Sequence, residues 1–126
     1  ASGVIETSIG RHKINRKKMA ADIDRGRQAE TRYEVVETFA HFSYLKVFPK
    51  TGRTHQIRVH LASIHHPVLG DKLYGGKIMG SYPTVPRQAL HAHRIEIIHP
   101  ISDKPIVFEA PVPTDINNYL MTYRQN

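Results

Sequence analysis

The sequence predicts an α+β fold, a largely antiparallel mixed sheet with flanking helices, and three observations carry that prediction. Strand-like alternation comes in two neighbouring pairs of segments. Helical spacing is confined to two stretches, one after each pair. The resulting order, strand-strand-helix-loop-strand-strand-helix, places hairpins beside segregated helices.

Taken in order, Gly3 to Ile9 reads as a short strand or turn. Arg11-His12-Lys13-Ile14-Asn15-Arg16-Lys17-Lys18 follows, a cationic run with one apolar residue and no periodicity. It fits a solvated loop or an arm on RNA phosphates, and the two readings are compatible. Arg27 to Ala40 alternates as a strand, with Thr31, Tyr33, Val35, Glu37 and Phe39 on one face and Arg32, Glu34, Val36 and Thr38 on the other. His41-Phe42 connects it to a second strand, Ser43 to Phe48, and two such neighbours pair most simply as an antiparallel hairpin. Pro49-Lys50-Thr51-Gly52 breaks that strand. A helix is expected over Thr54 to His65, with Ile57, Leu61 and Ile64 as its apolar stripe and Thr51 or Thr54 as its cap.

Val68 to Arg87 reads as an extended loop carrying Leu69, Leu73, Tyr74 and Ile78. Gln88 to Ile98 returns to strand character. The chain then turns from His99-Pro100 to Lys104-Pro105, and Ile106, Phe108 and Ala110 lie on the returning strand. Pro113-Thr114-Asp115 resembles a helix start, and Ile116, Tyr119, Leu120 and Tyr123 form the stripe of a final amphipathic helix. The aromatics Tyr33, Phe39, Tyr44, Phe48 and Phe108 alternate along strands, a pattern that predicts core packing rather than a base-stacking platform.

Composition bounds the function. A chain of 126 residues with 40% hydrophobic content makes one ordinary domain, read here as a single segment over residues 1–126. No apolar run of about 18 residues exists to span a membrane, and residues 1–10 lack the pattern of a secretory signal. The absence of cysteine excludes disulfides and thiolate metal sites and makes a cytoplasmic location the expectation. Eighteen Lys and Arg against eleven Asp and Glu leave a net charge of +7, which favours a polyanionic partner.

The densest cluster of chemically capable residues is Thr51-Gly52-Arg53-Thr54-His55-Gln56-Ile57-Arg58-Val59-His60-Leu61, at a strand-to-helix turn where free backbone N–H groups favour an anion. Arg58 lies between Ile57 and Val59, so its stem is expected to be partly buried. A buried guanidinium requires a carboxylate or several acceptors. None of Asp22, Asp24, Asp71, Asp103 or Asp115 is marked out by the sequence as its mate.

Thr51–Leu61, with His66-Pro67-Val68-Leu69-Gly70-Asp71-Lys72-Leu73-Tyr74-Gly75-Gly76, Arg87-Gln88-Ala89-Leu90-His91-Ala92 and His99-Pro100-Ile101-Ser102, closely resembles the RluA/RluD-type RNA pseudouridine synthases over roughly residues 30 to 120. The resemblance implies the catalytic fold of that family. The implied activity flips a uridine out of structured RNA, with ribosomal RNA expected, detaches the base and rejoins it through carbon, using an aspartate and no metal or organic cofactor. It assigns Arg58 a salt bridge to that aspartate, Arg53 an RNA phosphate, Leu90 a place in the uridine pocket, and RNA or substrate contact to Lys50, Thr54, His55 and Gln56. Arg58 should then point into a cleft near Leu90.

The family's aspartate lies in an upstream H-R-L-D-like segment that these residues lack, and the tyrosine that stacks on the uracil also comes from the missing upstream portion; Tyr33 and Tyr74 are not candidates for its place. The chain therefore reads as the C-terminal portion of a catalytic domain, with the missing N-terminal half as its partner, and as inactive alone. A non-catalytic RNA-binding module is the alternative. A histidine-metal hydrolase is a third reading, disfavoured because His55 and His60 are five apart and no H-E-x-x-H occurs. Neither glycine-rich phosphate loops nor a G-x-S-x-G elbow is present.

Overall fold

A computed structural model of the chain describes residues 1–15, 17–23, 26–75, 87–98 and 100–124. The expected roles of Arg16, Gly76, Ile78 and His99, and of the Tyr119 and Tyr123 side chains, lie outside the described residues. The chain divides into two compact units, Ala1–Ala89 and Leu90–Asn126.

In the first unit, β1 (Ser2–Glu6), β4 (Glu30–Thr38) and β5 (Ser43–Pro49) form an antiparallel sheet in the order β1-β4-β5. Thr31, Tyr33, Val35 and Glu37 are the more buried positions of β4, so the predicted alternation holds. The register pairs Tyr33 with Val47 and Val35 with Leu45, then slips at a bulge between Val35 and Glu37, so that Glu37 faces Tyr44. Phe39 and Phe42 stack at the hairpin end, ring centres 4.7 Å apart.

A second hairpin joins β2 (Ile9–Arg11) to β3 (Met19–Ala21), and its connection is the cationic run. This connection has internal order: His12 Nδ1 accepts the N–H groups of Ile14 (3.1 Å) and Asn15 (2.9 Å). Ile9 also exchanges two backbone hydrogen bonds with Arg27, of 2.8 and 2.9 Å. That contact requires Gly26, because a Cβ there would lie 2.9 Å from the Ile9 carbonyl carbon, which is backbone and cannot give way. The core around this junction is Ile9, Ala29 and Val59, with Met19, Ala21 and Tyr74 packed against it.

Helix α1 (Gln56–Ser63) is shorter than expected, and its inner face is not the predicted stripe. The buried residues are Gln56, Val59, His60 and Leu61, while Ile57 and Ile64 are only partly covered. Two polar residues can take core positions because each is fully hydrogen-bonded. The His60 ring, 0% exposed, bonds Thr31 Oγ1 through Nδ1 at 2.7 Å and the Thr7 carbonyl through Nε2 at 3.2 Å. Neither Thr51 nor Thr54 caps the helix. His55 holds the cap position in a left-handed conformation, φ 54° and ψ 24°, without a side-chain cap bond.

The second unit contains the hairpin β6 (Arg94–Ile98) and β7 (Pro105–Glu109), followed by α2 (Thr114–Arg124). β6 starts later than the sequence suggested and β7 lies one residue earlier, but the types and order of these elements are as predicted. Ile116 and Leu120 are buried on α2, whereas Ile95, Ile97, Ile98, Val107 and Phe108 stand 43–59% exposed. Phe108, like Phe48 on β5 at 43%, is thus a surface aromatic and not the core residue its alternation predicted. No described helix is long and apolar enough to cross a membrane.

Candidate functional site

The site is built where β5 turns into α1 and where the chain after α1 returns past it. Gln56 organises the turn. Its Oε1 accepts the Thr51 hydroxyl (2.6 Å) and the Arg53 N–H (3.1 Å), and its Nε2 donates to the Glu30 carbonyl (2.8 Å) and to Thr31 Oγ1 (2.9 Å). With two bonds on each amide atom and 4% exposure, Gln56 is a structural residue and is removed from the RNA-contact set. The sequence does not announce this, because two of its four partners, Glu30 and Thr31, come from β4, 26 and 25 residues away.

The helix then carries Arg58 inward. Its Nε donates to Asp71 Oδ2 at 2.8 Å and its Nη2 to Asp71 Oδ1 at 3.0 Å, a bidentate pair with side-chain exposures of 14% and 0%. The local mate absent from the sequence reading is therefore Asp71. The two are brought together by a return that passes through His65 (φ 65°) and Gly70 (φ 81°), backbone conformations that apolar periodicity does not register. Asp71 Oδ1 also accepts the N–H groups of Leu73 and Tyr74, each at 3.1 Å. Burial by itself would raise the Asp71 carboxyl; the Arg58 bond, the two N–H groups and the Arg58 charge outweigh it and hold the pKa below the ordinary carboxylate value. The Asp71 bond likewise holds Arg58 protonated.

Tyr74 links this pair to the helix start. The Arg58 guanidinium carbon stacks over its ring, 5.0 Å from the centre. The Tyr74 hydroxyl accepts the Met19 N–H at 2.9 Å and lies 2.7 Å from His55 Nδ1. With Met19 N–H as one donor to that oxygen, the Tyr74 proton can be given to Nδ1, an arrangement that places the His55 proton on Nε2. Burial, then the Arg58 charge, lower the His55 pKa, so the ring is neutral near pH 7. Burial raises the Tyr74 hydroxyl.

The remaining predicted residues divide between the two units. Arg53 binds the Gln28 carbonyl through Nε at 2.9 Å, and its two outer amino groups make no hydrogen bond to a described residue. Lys50 and Thr54 are exposed. His55 joins the Arg58 cluster, whereas Leu90 opens the second unit. The residues overlooked in the sequence are Asp71 and Tyr74. Their signal was the block Gly70-Asp71-Lys72-Leu73-Tyr74, in which a carboxylate after a glycine caps its own turn.

The sequence model of the RNA pseudouridylate synthase family matches residues 1–63, ending with the last residue of α1. The chain belongs to that family. Ribosomal large subunit pseudouridine synthase D of Nitrosomonas europaea is 42% identical over 127 residues, covering 97% of this chain and 37% of that protein. The uncharacterized RNA pseudouridine synthase YhcT of Bacillus subtilis is 44% identical over 125 residues, 96% of this chain and 39% of that protein. The chain thus spans well under half the length of these relatives. Among solved structures, human RNA pseudouridylate synthase domain containing 1 superposes with a TM-score of 0.72 at 24% identity, over 99% of this chain and 60% of that one, a likeness of fold. This family fold is the α+β architecture expected from the sequence.

Proposed function

We propose that this chain is the C-terminal portion of the catalytic domain of an RNA pseudouridine synthase acting on structured RNA, ribosomal RNA foremost. The reading is supported by family membership, by relatives named for the large ribosomal subunit, and above all by Arg58. Its guanidinium is clamped by Asp71 on one edge, 14% exposed, and its Nη1 has no hydrogen-bond partner among the described residues. A fixed cation with one open edge is suited to hold a reacting carboxylate ionised and oriented.

That carboxylate comes, in this reading, from a segment outside these 126 residues, and the chain alone is inactive. The isomerisation breaks the bond from C1′ to N1 and forms one from C1′ to C5. N1 gains a proton and C5 loses one, so no atom is added or removed. Leu90 lines the uridine pocket, and Arg53, Lys50, Thr54 and His55 face RNA. The net charge of +7 suits a polyanionic substrate.

Tritium at uridine C5 reports the reaction, since that hydrogen leaves when the new bond forms. The full-length protein should release tritium from C5-labelled ribosomal RNA, and its Arg58→Ala variant should not. RNA binding that weakens steeply with salt, without tritium release, would establish the non-catalytic RNA-binding module instead.

A further inference from the structure

Asp71 is the only carboxylate bonded to Arg58 among the described residues, yet it is in no position to act on a nucleoside. It is 0% exposed, and its two oxygens already receive four N–H donors, from Arg58 Nε and Nη2 and from the backbones of Leu73 and Tyr74. A carboxylate so enclosed can neither reach a sugar nor exchange its partners without loss of the turn that holds it.

We infer that Asp71 is a positioning residue, which grips Arg58 by Nε and Nη2 and thereby presents the Nη1 edge to the reacting carboxylate, so that Arg58 bridges two carboxylates of different function. The inference rests on the proposed synthase activity and adds a residue to it. The geometry favours this role over mere charge balance. A bidentate fork fixes the plane of the guanidinium as well as its place, and the Tyr74 ring beneath its carbon, 5.0 Å away, supports that place independently. The titratable groups facing the pair are Tyr74 and His55; neutral forms of both leave Arg58 and Asp71 as the charges that decide the local potential.

An electrostatic consequence separates positioning from scaffolding. Arg58 and Asp71 sum to zero, so the second carboxylate enters as an uncompensated charge and its proton affinity is higher than Arg58 alone would set. Neutralising Asp71 lowers it.

The test uses the full-length protein and C5-labelled ribosomal RNA, with pH profiles of kcat/KM. In Asp71→Asn we expect kcat to fall about tenfold or more, the RNA KM to stay within about twofold, and the acidic limb to move down by about half a pH unit. Asp71→Glu, which keeps the charge, should hold the limb at its wild-type position. If both variants retain the wild-type limb and kcat, the inference fails while the synthase assignment stands. An inactive wild-type protein would overturn both. Should Asp71→Asn not fold, Arg58→Lys carries the test, because an ammonium keeps the charge but cannot fork to one carboxylate while facing another. A wild-type kcat in that variant overturns the bridge.

Discussion

The Tyr74 hydroxyl lies 2.7 Å from His55 Nδ1 while accepting the Met19 N–H at 2.9 Å, and the same ring lies under the Arg58 guanidinium. One tyrosine thus ties the helix start, the β3 edge and the buried ion pair together. His55 occupies the left-handed region at φ 54°, a conformation costing a non-glycine residue about 1 kcal/mol. The Tyr74 bond is the contact that offsets it.

Replacing Tyr74 by Phe keeps the stacked ring and deletes the shared oxygen. Both the Met19 N–H and His55 Nδ1 lose their partner, and stability should fall by about 1–3 kcal/mol. Nitrogen-detected NMR of His55 should show the proton on Nε2 in the wild type and a mixture of tautomers in Tyr74→Phe. A wild-type mixture would refute the assigned direction of the bond.

Gln56→Ala tests the division between scaffold and RNA surface. It strands the Arg53 N–H and takes one of two bonds from the Glu30 carbonyl, Thr31 Oγ1 and the Thr51 hydroxyl, which keep Lys50 N–H, His60 and Glu30 N–H, so thermal denaturation should report a loss of about 1–3 kcal/mol. RNA affinity measured well below the melting temperature should remain as in the wild type. Weaker binding by a fully folded variant would return Gln56 to the interface.

Two groups set opposite ends of an acid-sensitivity profile. Burial lowers the His60 pKa, against the opposing Thr7 bond, so the folded state resists protonation there. The unfolded chain then binds more protons as pH drops below about 6.5, and stability declines from that point toward the lowered folded value. Asp71, depressed in the folded state, contributes fully above about 4 and is lost only as pH falls through its own lower value. Urea denaturation across pH should show an early decline that is reduced in His60→Gln, with the lowered His55 supplying the remainder, followed by a second decline from Asp71.

Arg53 keeps its outer amino groups clear of other described residues while Nε holds the Gln28 carbonyl. If those groups meet phosphate, Arg53→Ala should lower the salt slope of RNA binding by about one and weaken binding alike for all sequences. An unchanged slope would exclude that contact.

Much of the fold was legible because it rests on alternation. Thr31, Tyr33, Val35 and Glu37 face inward as their period of two requires, and from β4 onward hairpins and helices follow in the predicted order, whereas the short β2–β3 hairpin before them was not read from the sequence. The inner face of α1 was not legible. Hydropathy selects Ile57, Leu61 and Ile64, whereas His60 and Gln56 are buried through specific bonds to Thr31, Thr7 and Glu30 supplied by distant strands. Phe48 and Phe108 fail for the converse reason, since alternation gives two faces without saying which is wet. Arg58 stood out, but Asp71 did not, because their meeting depends on the path of the chain between them.

That path has a kinetic meaning. Arg58 and Asp71 are 13 residues apart and His55 and Tyr74 are 19 apart, while the Met19 tether spans 55. Closing such short loops costs little chain entropy, so the guanidinium can find its clamp before the long-range strands have zipped together. The Arg58–Asp71 and His55–Tyr74 contacts thus rest on short closures, whereas the Met19 tether that completes the centre rests on a long one.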